Sequence, residues 1–299
     1  MTRSCRIMCT TLSLIVVGPV ASAQDLGPTF RKIKEGIYVQ SAREVNSTVG
    51  IVLTTEGVVL IDTGQTLVDT RQVADAVKKL TPLPVRFVIN TEVHADHTTG
   101  NFVFSPPAVV INHAGAGDAM RKANNPDRFA KADPEIKAAA EGYRLVTPHV
   151  EYQEKTTLRV GERTFELLRV RNAHSEADTA VWLPQERVLF AGSAAIPNSL
   201  NNVRPFVAIA DLLAAARMLK SLNPEVVVPG HGSPGTTTIF DESEKYYTLL
   251  LDRVTAMVKA GRTREQIGVE LKMPEYADWA YQERMPSNID AAYRAATGR

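Results

Sequence analysis

At 299 residues the chain is long enough to bury a sizeable core, and length alone allows one or two domains. Composition is that of an ordinary soluble globular protein, 44% hydrophobic and 22% charged, and a formal net charge of +1 gives no basic footprint for a nucleic-acid partner. No apolar run approaches the roughly 20 residues that a membrane-spanning helix needs.

The first 23 residues read as a cleavable export signal. Arg3 and Arg6 supply the positive start, Leu12 to Val17 the short apolar stretch, and Ala21-Ser22-Ala23 the small-residue cleavage site, with Gly18 and Pro19 breaking the run between them. Cleavage before Gln24 predicts a periplasmic or secreted protein. It also removes Cys5 and Cys9, the two cysteines of the chain, and turns the formal charge from +1 to −1. The mature protein then has no disulfide and no thiolate ligand or nucleophile, so any metal must be held by His, Asp and Glu.

From Gln24 onward a single domain, residues 24–299, is expected. Ile37 to Gln40, Asn46 to Thr54 and Gly57 to Ile61 read as consecutive strands, with Thr55-Glu56-Gly57 as a tight turn. Leu67 to Leu80 has Val73, Ala76, Val77 and Leu80 at helical spacing. Val85 to Ile89 is a compact β-branched and aromatic run, a buried strand that leads into the loop Glu92-Val93-His94-Ala95-Asp96-His97. Such a strand end is where α/β folds usually carry chemistry. The Ala- and Lys-rich stretch from Ala123 to Pro148 admits two readings, a helical lid or surface decoration. Strand patterns return at Thr157 to Val160, Thr164 to Val170, Ala180 to Leu183 and Val188 to Phe190. A helix from Asp211 to Leu222 precedes a last buried strand, Val226 to Val228, which ends in Pro229-Gly230-His231-Gly232. The remainder is a helical C-terminal extension with Leu249, Leu250, Val254 and Val258 on one face. Two groups of strands separated by helices suggest two stacked αβ halves around one site.

The six histidines carry the chemical signal. His94, Asp96 and His97 crowd into four positions, and in an extended loop Glu92, His94 and Asp96 project to one side, with His97 reaching a second ion. Nitrogen and oxygen donors of this kind suit Zn²⁺; the extra carboxylate also suits Mn²⁺ or Fe²⁺. The alternative is a helix cap at Asp96 or Thr98. His174, in Asn172-Ala173-His174-Ser175, and His231, between two glycines that let the backbone approach a ligand, strengthen the metal reading. His113 and His149 lie in no such motif and are read as structural or surface residues.

These motifs resemble those of the metallo-β-lactamase superfamily. Its His-x-His-x-Asp-His signature is matched by Glu92 to His97 followed by Gly100-Asn101. Its earlier strand-end Asp is matched by Ile61-Asp62-Thr63-Gly64. The later histidines are matched by Ala173-His174-Ser175-Glu176-Ala177-Asp178-Thr179 and by Pro229-Gly230-His231-Gly232. The resemblance runs from about Ile33 to the end and implies a four-layer αβ/βα sandwich with two metals at the upper edge of its sheets. Carried over residue by residue, it implies that Glu92, His94 and His174 hold one ion and Asp96, His97 and His231 the other.

Two positions depart from the pattern. Glu92 stands where the family has its first His, and Ser193, after Gly192, stands where it has a bridging Asp, leaving Ser193 to support the ligands from behind or, at best, to make a weak contact. The first change adds a negative charge and the second removes one, so the ligand total stays at −2 and the centre reads as compensated. Asp62 is expected to fix a ligand histidine through its ring N–H, with an ordinary turn Asp as the alternative. Arg204, among Asn198, Asn201 and Asn202, is a candidate for an anionic substrate group, with a solvated loop as the alternative. The resemblance implies metal-assisted hydrolysis of a small-molecule ester, lactone, thioester or amide, with Asp96 as ligand and as orienter of the attacking water. The alternatives are a β-lactamase, and a metal-binding accessory protein with little turnover. Oligomeric state is not legible in the sequence.

Overall fold

The computed structural model describes residues 25–41, 46–125 and 127–298; the expected export signal lies outside them. Among the described residues, a seven-stranded sheet runs in chain order: β1 (Phe30–Lys34), β2 (Ile37–Gln40), β3 (Val49–Thr54), β4 (Gly57–Ile61), β5 (Val85–Ile89), β6 (Val109–His113) and β7 (Val150–Tyr152). A five-stranded sheet has β8 (Lys155–Val160), β9 (Arg163–Val170), β10 (Asp178–Leu183), β11 (Val188–Gly192) and β12 (Val226–Pro229), in the order β12-β11-β10-β9-β8. The helices are α1 (Leu67–Leu80), α2 (Ala95–Thr98), α3 (Asn101–Phe104), α4 (Ala116–Ala123), α5 (Pro134–Ala139), α6 (Ile209–Ser221), α7 (Thr238–Lys259), α8 (Arg264–Glu270) and α9 (Met285–Thr297).

Local chemistry sets the joints. The β3–β4 hairpin turns on Thr55 and Glu56, closed by the Thr54–Gly57 pair, with Gly57 at a φ of 142° that a side chain rarely adopts. Helix α1 opens with a reciprocal cap between Thr66 and Asp69 and closes on Lys78 and Lys79, each charge placed to suit the helix dipole.

Three apolar layers produce the expected four-layer sandwich. Ile37, Val52, Ile61 and Ile89 of one sheet pack face to face with Phe165, Leu167, Leu183 and Phe190 of the other. Behind the first sheet, Val49, Leu60 and Val88 meet Val73, Ala76 and Val77 of α1. Behind the second, Trp182, Leu189 and Val227 meet Leu212 and Leu219 of α6, Leu250 and Val254 of α7, and Ile289 and Ala292 of α9. No helix among the described residues is long and apolar enough to cross a membrane.

The stretch from Ala123 to Pro148 packs beside the sheets. Phe129 and Tyr143 stack edge-on, Tyr143 also meets Phe102 of α3, and Arg71 of α1 donates to the carbonyl of Ala139. Leu145 joins Met120 of α4 against Val93 of the Glu92–His97 loop and Ala177 of the His174 loop. This stretch therefore buttresses those loops from the side.

Candidate metal centre

Strand direction brings the chemistry to one edge. β4 and β5 are parallel, β11 and β12 are parallel, and β9 and β11 both run antiparallel to β10. The C-terminal ends of β4, β5, β9, β11 and β12 therefore carry, in turn, Asp62, the Glu92–His97 loop, His174, Ser193 and His231.

All the expected site residues are brought together. Glu92 and His97 are buried at the bottom; His94 and Asp96 are part-exposed at 28% and 27% of their side chains. Two groups of donor atoms result, Glu92 with His94 and His174, and Glu92 with His97 and His231, each within 4.8 Å. Asp96 Oδ2 lies 3.4 Å from His231 Nε2 and 3.7 Å from His97 Nε2. Imidazole nitrogens and carboxylate oxygens in clusters of this size fit a divalent cation of the zinc type. The arrangement differs from the expected one in two respects: Glu92 belongs to both groups, and it takes the place in the second group expected of Asp96, which lies beside that group. Glu92 Oε2 faces His94 Nδ1, as an ion pair, and His174 Nε2 at 3.5 Å, while its Oε1 lies 3.1 Å from His97 Nε2.

Glu92, His97 and His174 are held from behind. Asp62, at a positive φ of 60° unusual for a side-chain-bearing residue, accepts from Thr91 N at 2.7 Å and Thr91 Oγ1 at 2.6 Å. Its Oδ2 also lies 2.9 Å from His97 Nδ1, which leaves Nε2 facing the centre. Ser193 donates to Glu92 Oε1 at 2.5 Å, and Asn112 donates to the Glu92 carbonyl at 3.1 Å. A short helix does follow His94, but no side chain caps it, so Asp96 is free of the capping role the sequence also allowed. Gly230 packs against the β11 turn, where an added Cβ would sit 2.7 Å from Ser193 Oγ. Arg204 Nη2 lies 3.0 Å from His94 Nε2, at the open side.

Three residues of the surround, Asn201, Asn288 and Asn112, had no motif to mark them, and Asp178 lay in the His174 motif with no role read for it. Asn201 sets its amide between His174 Nδ1 at 2.9 Å and the Ser193 carbonyl at 2.9 Å, and Asn288 of α9 donates to the Asn201 carbonyl. Asp178 accepts from the His174 and Ser175 amides and the Ser175 hydroxyl, pinning the His174 loop. Asn112 completes the set. The cluster of Asn198, Asn201 and Asn202 was the one signal that pointed near Asn201. Of the histidines outside the centre, His113 is buried edge-on to Tyr152, and His149 Nδ1 accepts from the Val110 amide.

The charges of the metal-free centre are strongly coupled. Burial alone would push Glu92 up, but His97, His174 and His94 together hold its carboxyl well below the usual range. His97 is opposed by burial yet raised to about 10 by Glu92, Asp62 and Asp96. His174 goes the other way, to about 4, because burial and the neighbouring histidines outweigh the pull of Glu92. Burial and the Glu92 charge push Asp178 up to about 7.

Paired αβ layers with two histidine–carboxylate clusters at one sheet edge define a class, that of metal-dependent hydrolases built on this sandwich. The family model described as the metallo-beta-lactamase superfamily matches residues 42–231, and the chain belongs to that superfamily. Among solved structures, it is similar to the stereoselective inverting sec-alkylsulfatase Pisa1 from Pseudomonas sp., with 18% identity and a TM-score of 0.69. That match covers 89% of this chain and 50% of the alkylsulfatase, so the chain spans about half its length. It is also similar to a metallo-beta-lactamase from Pontibacter korlensis, with 22% identity, a TM-score of 0.59, and coverage of 72% of this chain and 96% of that one. Likeness at these identities is a likeness of fold. No curated protein matches the chain.

Proposed function

We propose that this protein is an exported hydrolase that works with two divalent ions, zinc in the first instance, on a small-molecule ester, lactone, thioester or amide. The observation that carries the reading is the pair of donor clusters sharing Glu92. One ion is assigned to Glu92, His94 and His174, the other to Asp96, His97 and His231. Ions held there acidify a water and polarise the substrate's carbonyl or ester oxygen.

The chain's own residues do the rest. Asp96 is the exposed carboxylate of the centre, against 1% exposure for Glu92, so it is the one that can meet an attacking water and take its proton. Asp62 keeps His97 in the tautomer that presents Nε2 inward, and Asn201 does the same for His174. Arg204 stands at the open side next to His94, and among the described residues no carboxylate pairs with it. Its guanidinium suits an anionic group on the substrate.

The test is a panel of aryl esters, a lactone, a thioester, a β-lactam and an alkyl sulfate, assayed on the zinc-loaded protein. Turnover of an ester, lactone, thioester or lactam that is lost on chelation and in Asp96→Ala is the expected result. An alkyl sulfate as the sole substrate would reassign the reaction, and no turnover of any member would leave the accessory-protein reading standing. Export is checked separately, by an N-terminus at Gln24 on protein recovered from outside the cytoplasm.

A further inference from the structure

We propose that Glu92 supplies the one carboxylate shared by both ions, and that Ser193 is the residue that holds it in place. This rests on the two-ion reading above and goes beyond it, because the family pattern puts the shared carboxylate at the position of Ser193 and gives position 92 to a single ion.

The geometry points both oxygens of Glu92 in useful directions. Oε2 faces His94 and His174, and Oε1 faces His97. Asp96 has no such span: its Oδ2 lies 3.7 Å from His97 Nε2 and 3.4 Å from His231 Nε2, both in the same cluster. Ser193 carries no charge to share, and its hydroxyl is committed to Glu92 Oε1 at 2.5 Å. A carboxylate oxygen has two lone pairs, so Oε1 can accept the Ser193 proton and still present a donor pair toward His97 and His231.

The Ser193 hydroxyl is itself fixed. Its carbonyl accepts from Asn201 at 2.9 Å, and the Gly230 backbone lies so close that no side chain fits there. The two departures from the family pattern are therefore one feature. An imidazole at 92 offers one nitrogen toward the centre, enough for one ion, whereas a carboxylate on a two-carbon stem reaches the midline. With a carboxylate already there, a second one at 193 would put two negative charges at hydrogen-bond distance, which drives one of them to take a proton. A serine instead gives the first carboxylate a hydrogen bond.

Metal binding to the whole protein distinguishes this from the simpler assignment. Chelated wild type and variants are titrated with Zn²⁺, bound metal per chain is measured by mass spectrometry, and folding is checked by circular dichroism. The wild type is expected to hold two ions. Glu92→His and the same-shaped Glu92→Gln are expected to hold one, and Ser193→Ala to hold two with the weaker affinity reduced about 10–100-fold. Glu92→His combined with Ser193→Asp is expected to regain two, a non-additive rescue that a merely structural role would not give. Mn²⁺-loaded wild type should also show the electron-paramagnetic signal of a coupled ion pair, lost in Glu92→Gln. Two tightly held ions in Glu92→Gln, or a double variant no better than Glu92→His, would overturn the assignment while leaving the two-ion reading intact. Fewer than two ions in the wild type would overturn both.

Discussion

The two histidine clusters are made of the same residue types, yet they are backed by different chemistry. Behind His97 stands a buried carboxylate, Asp62, at 2.9 Å; behind His174 stands a neutral amide, Asn201, at the same distance. The first imidazole is raised to about 10 and the second lowered to about 4, although both are buried. Burial opposes a proton on both rings; at His97 the charges of Glu92, Asp62 and Asp96 outweigh it, whereas at His174 the neighbouring histidines add to it and the pull of Glu92 does not suffice. At His97 a cation must displace a proton to bind; at His174 it meets a neutral ring. The His97 cluster is the deep, charge-rich one, and the His174 cluster opens past His94 to Arg204.

The largest way to break the proposed arrangement is to remove Asp96, the part-exposed carboxylate beside His97 and His231. Asp96→Ala is expected to lower kcat/KM by about 10³-fold or more, since several kcal/mol of transition-state stabilisation go with a metal centre. Steady-state kinetics on whichever panel substrate is turned over measures it. Next comes the backing itself. Asp62→Ala should weaken the deep ion by about 10–100-fold, while Asn201→Ala, which removes only a neutral acceptor, should weaken the other ion by less. Competition against a chromophoric chelator reads both, and equal losses would erase the contrast.

Arg204→Ala should cost about 10-fold in kcat/KM on substrates with an anionic group, through KM, and leave metal content unchanged. A matched pair of charged and neutral esters separates this from general damage. The smallest expected effect is in the metal-free protein. Its His97 has a folded-state pKa raised from 6.5 to about 10, so the stability it contributes is complete below pH 6.5 and is lost as pH rises through about 10. Melting of chelated protein should fall across that window, and Asp62→Asn should flatten the fall.

Much of this was legible in the sequence, for identifiable reasons. β2, β4, α1 and β5 match the residue ranges expected from periodicity, because each is an uninterrupted apolar pattern bounded by turn residues or a cap. β1 escaped notice because it is an edge strand, Phe-Arg-Lys-Ile-Lys, whose charged residues face water. β7 was missed because it is three residues long and largely exposed, and β6, Val-Val-Ile-Asn-His, because its apolar run is only three residues before polar ones; both exist by pairing along the sheet. The donors of the centre were legible because they sit in dense local motifs. Asn201 and Asn112 were not, since each acts on a residue far off in the chain, and Asp178, four residues after His174 and inside its motif, shows its role only through the amides that turn toward it. The dual reach of Glu92 was hidden for a related reason: sequence named the residue, but only the opposed placement of His94 and His97 shows that its two oxygens serve different neighbours.

The most direct test of the account is an anomalous diffraction map of zinc-loaded crystals collected across the zinc edge. The account predicts two peaks, one on each side of the Glu92 carboxylate, the first beside His94 and His174 and the second beside Asp96, His97 and His231. A single peak, or two peaks with Glu92 turned to only one of them, would contradict it.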